Sequence, residues 1–130
     1  MREKGSASVG NRLLVAGWEN ARIQEREAAM PAEPLSREEV EEQLAGLPGW
    51  AVEGGALGCR YRFSSHFAAT AFVVHVARVQ DELNHHSDLT LGYDTVTLAV
   101  RTHDAGGALT ALDFQLARRV RESAVAHEAR

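Results

Sequence analysis

The chain has 130 residues, a net charge of −4, and 45 % apolar and 25 % charged residues, which is the composition of one ordinary globular domain. The acidic balance excludes a broad basic surface for a phosphate backbone, so no direct nucleic-acid partner is expected. No apolar run approaches the roughly 18 residues of a membrane span, and a single cysteine suits a reducing cytosol, so we expect a cytoplasmic protein without a membrane partner.

The first 34 residues predict a poorly ordered N-terminal extension that precedes a domain at residues 35–130. The stretch "AAMPAEP" at positions 28–34 is rich in proline and small residues, as is typical of a linker. Residues 11–29 have only a weak amphipathic pattern. Met30 is a candidate for the natural start of translation.

A first helix is predicted to begin at Ser36, because Ser36 and Glu39 have the spacing of a capping box. Gly46 marks its end. Two strands follow, with a turn at Gly54–Gly55 between them. The second strand, in residues 56–63, alternates apolar with polar side chains, so one of its faces should be buried.

A second helix is predicted within residues 64–84. Four of its apolar residues recur at helical spacing, namely Phe72, Val76, Val79 and Leu83. Three others lie off this stripe, namely Val73, Val74 and Ala77. A helix that is apolar on more than one side needs a partner on each, so we expect part of this helix in an interface between copies of the chain.

Two more strands and a last helix complete the predicted domain. The strands are expected in residues 89–93 and 95–102, with a tight turn near Asp94. Thr110 should cap the last helix, with Asp113 at its N3 position. The order α-β-β-α-β-β-α predicts an α+β fold, in which helices cover one face of a four-stranded, mostly antiparallel sheet.

Six histidines are the first candidates for chemistry. His66 and His127 stand near a helix start and the C-terminus, where solvated or capping roles are expected, and His75 suits a core or interface position. His85 and His86 follow the second helix directly. A helix cap explains one imidazole at the negative end of the helix dipole, but it does not explain two.

His103 and Asp113 have structural explanations of their own. His103 is expected at the end of the last strand, where a solvated residue is common. An acidic N3 residue such as Asp113 stabilises a helix start by roughly 0.5–1 kcal/mol without any catalytic role.

Metal and nucleophile chemistry are disfavoured by the pattern. Three histidines can hold a zinc ion, but side chains of adjacent residues diverge and chelate poorly, so no metal is expected. Cys59 falls on the apolar side of its strand, where a thiol is inert. Acid–base chemistry by imidazoles remains, and it typically contributes about 10²–10⁴-fold to a rate.

One spaced motif resembles the signature of the pterin-4a-carbinolamine dehydratase family. The matching positions are Asp81, His85–His86–Ser87, Tyr93, His103 and Asp113, with "THDAGGALTALD" as the closing run. The element order also matches, and the likeness covers about residues 35–126. The resemblance implies an enzyme that dehydrates 4a-hydroxytetrahydropterin to quinonoid dihydropterin without a cofactor, in tetrahydropterin recycling.

The resemblance also implies roles for the matching residues. His85, His86 and His103 correspond to the histidines around the pterin. His86 or His103 would act as the acid, and His85 as the pterin-binding residue or base. Asp81, where the family often has glutamate, and Asp113 would orient histidines.

Substrate binding, partners and an alternative function follow from the same resemblance. Ser87 and Tyr93 would bind the pterin together with His85, although Ser87 replaces a common proline, which would loosen the loop. The family's dimers and tetramers agree with the two-sided second helix, so we expect a homodimer or homotetramer. The fold also serves as a dimerisation cofactor of a transcription factor and as an assembly factor in relatives that lost the histidines. A non-enzymatic binding role is therefore the alternative.

Overall fold

The computed structural model describes residues 32–130, so most of the predicted N-terminal extension, including Met30, lies outside the described residues. The elements in chain order are α1 (Arg37–Ala45), β1 (Ala51–Glu53), β2 (Ala56–Arg62), α2 (His66–Leu83), β3 (Asp88–Leu91), β4 (Thr95–Val100), a 3₁₀ helix (His103–Ala105) and α3 (Ala111–Ala126). This order confirms the predicted α+β arrangement. None of the helices in this part of the chain is long and apolar enough to cross a membrane.

The four strands form one antiparallel sheet in the order β1-β2-β4-β3. In the two central strands, every second side chain faces the helices and is buried, namely Leu57, Cys59, Val96, Leu98 and Val100. Arg60 and its partner Thr97 are exposed on the other face. The alternation predicted for β2 and β4 is confirmed, and the helices cover one face only.

The core lies between this face and the helices α2 and α3. Three phenylalanines are its largest fully buried residues, namely Phe63, Phe72 and Phe114. Phe63 and Phe72 stack in a tilted arrangement with ring centroids 5.0 Å apart. At the edge of this core, Trp50 Nε1 donates a hydrogen bond of 2.9 Å to Tyr61 Oη, and burial raises the pKa of that phenol.

The predicted helix caps are present. Ser36 and Glu39 form the reciprocal hydrogen bonds of a capping box, and Thr110 and Asp113 form a second box at the start of α3. Ser65 caps α2 by accepting the N–H of Ala68. Local side-chain chemistry therefore determines where these three helices begin.

The prediction that the last strand continues to Thr102 and His103 is wrong. β4 ends at Val100, and Thr102 forms an isolated bridge with Ala108. The carbonyl of Thr102 then accepts the N–H groups of Ala105 and Gly107, at 3.1 and 3.0 Å. These bonds turn the chain into the 3₁₀ helix, so His103 begins a helical turn instead of ending a strand.

Candidate functional site

Most of the predicted site residues gather at one end of the sheet because β3 and β4 are antiparallel. Asp88, the first residue of β3, pairs with Ala99, near the end of β4. The segment before β3 therefore lies beside the segment after β4. The first segment carries His85–His86, and the second carries Thr102–His103, so the register alone brings three histidines to one end.

His85 forms a shorter side-chain contact than His86, with a carboxylate from α3. Its Nε2 lies 2.7 Å from Oδ1 of Asp113, and the two side chains are 11 % and 0 % exposed. A carboxylate only accepts hydrogen bonds, so Nε2 carries the hydrogen and donates it. In the neutral ring this leaves Nδ1 as an acceptor. Asp113 therefore fixes the tautomer of His85.

The second oxygen of Asp113 holds the start of α3. Oδ2 accepts the backbone N–H of Thr110 at 2.8 Å and the hydroxyl of Thr102 at 2.9 Å. The Thr102 hydroxyl is used as a donor there, so it accepts the hydroxyl hydrogen of Thr110, at 2.7 Å. Asp113 thus caps the helix with one oxygen and contacts His85 with the other. The capping explanation of Asp113 is confirmed, and its orienting role stays a prediction.

Thr102 is a site residue that the sequence interpretation missed. It is 3 % exposed, it contacts Asp113 through its hydroxyl, and it is followed directly by His103. The strand predicted over residues 95–102 already accounts for Thr102 as a strand residue, so its sequence position gives no reason to assign it a further role. The one available signal was its place next to His103 in the closing run of the motif.

The side chain of His86 is more exposed to solvent than that of His85. Its Nε2 lies 3.3 Å from Oδ1 of Asp81, and the two side chains are 59 % and 82 % exposed. A contact of this length between exposed groups is weak. His86 is therefore able to exchange protons with solvent. His103 is also exposed, at the first position of the 3₁₀ helix.

The loop of the histidine pair is bonded to the end of α2. Asn84 ends that helix in the left-handed conformation, with φ 51°, and the N–H of His85 donates to the carbonyl of Gln80 at 3.1 Å. Ser87 donates its N–H and its hydroxyl to Oε1 of Gln80. Ser87 is thus tied down rather than loose. Gln80, a second residue missed at the sequence level, showed no motif.

Tyr93 does not join this group within one chain. It lies in the turn after β3, at the opposite end of the sheet, and it is 80 % exposed. Its carbonyl accepts a hydrogen bond of 2.7 Å from Nδ1 of His66, the first residue of α2. The 18 residues of that helix rise about 27 Å before reaching the histidine pair. Tyr93 as a substrate contact stays a prediction.

The remaining candidates lie apart from the group. His75 is half-buried and its Nδ1 lies 3.0 Å from Nε2 of His127, which stands at the end of α3. Cys59 is buried, and this burial raises the pKa of its thiol. Within residues 32–130, no three His, Cys, Asp or Glu side chains are arranged to hold a metal ion.

Residues 33–123 match the family described as pterin 4 alpha carbinolamine dehydratase. Relatives with the name "Putative pterin-4-alpha-carbinolamine dehydratase" include two from Streptomyces. The one from Streptomyces coelicolor is 66 % identical over 100 residues, covering 77 % of this chain and 99 % of its own length. The one from Streptomyces avermitilis is 60 % identical with the same coverage.

Two solved structures are similar in fold. One is a transcriptional coactivator/pterin dehydratase from Brucella melitensis, with a TM-score of 0.67 and 26 % identity over 71 % of this chain and 99 % of the other. The other is a pterin dehydratase-like protein described as a RuBisCO assembly factor in the alpha-carboxysome. It has a TM-score of 0.51 and 23 % identity over 58 % of this chain and 89 % of its own, which shows the fold alone.

Proposed function

The chain belongs to the pterin-4-alpha-carbinolamine dehydratase family, and from this we propose that it converts 4a-hydroxytetrahydropterin to quinonoid dihydropterin and water, in tetrahydropterin recycling. The substrate has a hydroxyl on C4a beside the N5 amine. Elimination requires one proton delivered to the leaving hydroxyl and one removed from N5. The observation that carries the proposal is the 2.7 Å contact between His85 Nε2 and buried Asp113, at the end of the sheet that also carries exposed His86 and His103.

In this proposal His85 removes the proton from N5. Asp113 occupies Nε2, so the neutral ring presents the lone pair of Nδ1 to a substrate. Burial of Asp113 and its bonds to two threonines hold the carboxylate still, which keeps the imidazole in one orientation. A positioned base of this kind needs no metal to act at neutral pH.

His86 or His103 supplies the proton for the leaving hydroxyl. Both are exposed, so each regains a proton from solvent after turnover. Asp81 lies 3.3 Å from the His86 ring and contributes only weakly to its orientation. Either histidine suits the acid role, because both rings are exposed and an imidazole nitrogen can donate a proton to a leaving group.

Direct turnover tests the proposal. The absorbance change of 4a-hydroxytetrahydropterin dehydration should be faster with the protein than without it, and a chelator should leave the rate unchanged. His86→Ala and His103→Ala should each lower the rate by about tenfold or more while the circular dichroism spectrum stays the same. His127→Ala, at the end of α3, is the matched control and should keep full activity. Equal rates with and without protein would refute the proposal.

We also infer that copies of the chain associate through the outer face of α2. Phe67 and Val74, seven residues apart and so on one helix face, are 83 % and 66 % exposed. Large exposed apolar side chains on one face are typical of an interface. A homodimer or homotetramer would cover them. Light scattering of the purified chain that gave only the 14.2 kDa monomer would contradict this inference.

A non-enzymatic binding role is the alternative, and the description of the Brucella melitensis protein as both coactivator and dehydratase supports considering it. A scaffold requires the fold but has no chemical use for exposed imidazoles at positions 86 and 103. The two histidine variants separate the roles. If they lose dehydration and keep every binding partner of the wild type, the two functions are independent.

A further inference from the structure

One buried glutamine is bonded to the loop of the histidine pair on both sides of His86. Gln80 lies in the last turn of α2 and is 8 % exposed. Its backbone carbonyl accepts the N–H of His85 at 3.1 Å. Its side-chain Oε1 accepts the N–H and the hydroxyl of Ser87, at 2.9 and 2.5 Å. His86 therefore stands in the chain between two residues, His85 and Ser87, that are both hydrogen-bonded to Gln80.

The orientation of the Gln80 amide follows from its partner. A backbone N–H only donates, so the atom that faces Ser87 N is the oxygen and not the nitrogen. Both lone pairs of Oε1 are then satisfied by Ser87. Removing this acceptor would leave a half-buried N–H and a hydroxyl without their partner, which is the costly case for hydrogen bonds. The loop and the end of α2 are thus joined by hydrogen bonds whose loss would destabilise the folded loop.

The ring of His86 depends on this backbone. Its own side-chain contact is the 3.3 Å approach to exposed Asp81, whereas His85 is held by buried Asp113. Asn84 reverses the chain in the left-handed conformation just before the pair. The direction in which His86 projects is therefore determined mainly by where residues 85 and 87 are fixed.

We infer that Gln80 is a positioning residue, which through Ser87 holds the backbone of His86 and so aims its imidazole at the substrate held near His85. The inference rests on the proposed dehydratase function and adds to it the residue that directs His86, one of the two candidate acids. Gln80 itself touches no reacting atom. Its effect should therefore appear in turnover more than in substrate affinity.

Three variants and two measurements test this inference. Gln80→Leu removes the acceptor, Gln80→Glu keeps an oxygen acceptor at the same length, and Gln115→Leu makes the same change at an exposed position of α3. The first measurement is amide hydrogen exchange at Ser87 in the free protein. The second is kcat and KM for 4a-hydroxytetrahydropterin, per mole of folded protein.

The contact predicts a specific pattern. In Gln80→Leu, exchange at Ser87 should accelerate at least tenfold and kcat should fall about tenfold with KM within about threefold, since misplacement by 1 Å can cost as much as 10²-fold. Gln80→Glu should restore the slow exchange and most of kcat. Gln115→Leu should resemble the wild type. If Gln80→Leu does not fold, Ser87→Ala, which removes one donor, should lower kcat about threefold, and an unchanged kcat would overturn the inference.

Failure of the inference is distinguishable from failure of the proposed function. Wild-type kcat in Gln80→Leu, or a loss that Gln115→Leu shares, overturns the positioning role while leaving the dehydratase intact. If the wild type has no dehydratase activity, the proposed function fails. Hydrogen exchange alone then tests whether Gln80 holds Ser87. Protection of Ser87 that Gln80→Leu removes and Gln80→Glu keeps supports the contact, and an unprotected Ser87 in the wild type overturns it.

Discussion

Replacing Asp113 by asparagine should reverse the tautomer of His85 without changing the shape of the site. In the wild type, all three neighbours of the carboxylate donate to it, namely His85 Nε2, the Thr102 hydroxyl and the Thr110 N–H. Asparagine has one oxygen and one NH₂ group. The Thr110 N–H can only donate, so the asparagine oxygen must face the threonines and the NH₂ must face His85. Nε2 then becomes an acceptor, and the hydrogen of the neutral ring moves to Nδ1.

The reversed tautomer removes the base that we assign to N5 of the substrate. We expect kcat/KM to fall about 100-fold, within the range of 10²–10⁴ for a positioned acid or base, which corresponds to about 2.7 kcal/mol of transition-state stabilisation. The folded state should lose less, about 1–2 kcal/mol, because the two bonds to the threonines survive with a neutral acceptor. The loss of transition-state stabilisation should therefore exceed the loss of folding stability.

Two assays separate these effects. Nitrogen-15 NMR of the imidazole distinguishes hydrogen on Nδ1 from hydrogen on Nε2, and initial rates with the spontaneous reaction subtracted give kcat/KM. Asp104→Asn, an exposed aspartate in the 3₁₀ helix, is the matched control and should alter neither. A reversed tautomer with wild-type kcat/KM would refute the base role of His85. An unchanged tautomer would refute the hydrogen-bond assignment itself.

Three further predictions concern buried groups. Thr102→Val should destabilise the fold by about 1–2 kcal/mol in urea titration, because Asp113 Oδ2 loses a buried donor, and a loss no larger than that of exposed Thr97→Val would contradict this role. Cys59 should react with iodoacetamide at pH 8 far more slowly than free cysteine and faster as the pH rises, because burial raises the pKa of its thiol. Labelling of the folded chain at the free-cysteine rate would show that the thiol is accessible. Phe72→Ala should cost about 3–5 kcal/mol of stability, since Phe72 is fully buried. A midpoint of denaturation equal to that of the wild type would refute its place in the core.

Much of the fold is predictable from the sequence because the relevant signals are local. The capping box of Ser36 and Glu39, the helical spacing of Phe72 and Val76, and the alternation in β2 each depend on residues within one turn or one strand. The 3₁₀ helix is not predictable in this way, because it depends on contacts outside its own strand pattern. Thr102 meets the strand pattern by composition, and only its bonds to residues further along the chain turn it out of the sheet.

The site is less predictable, because its contacts join residues that are distant in sequence. His85 and Asp113 are separated by 28 positions, and spacing alone does not tell whether Asp113 caps, orients or does both. Tyr93 illustrates the limit. It belongs to the spaced motif, yet one strand of four residues separates it from Ser87 and carries it to the far end of the sheet.

Asp113 both caps α3 and contacts His85, and this affects how the proposed dehydratase is distinguished from a non-enzymatic scaffold. A chain that served only as a scaffold would still need this carboxylate, because Oδ2 caps α3 and closes the contact with Thr102. The capping bonds of Asp113 are therefore no argument for catalysis, whereas its contact with His85 supports it. His86 and His103 are different, since both are exposed and the folded core of residues 32–130 does not depend on their rings. Their replacement should leave the free energy of unfolding within about 0.5 kcal/mol of the wild type, so any loss of turnover measures chemistry rather than folding.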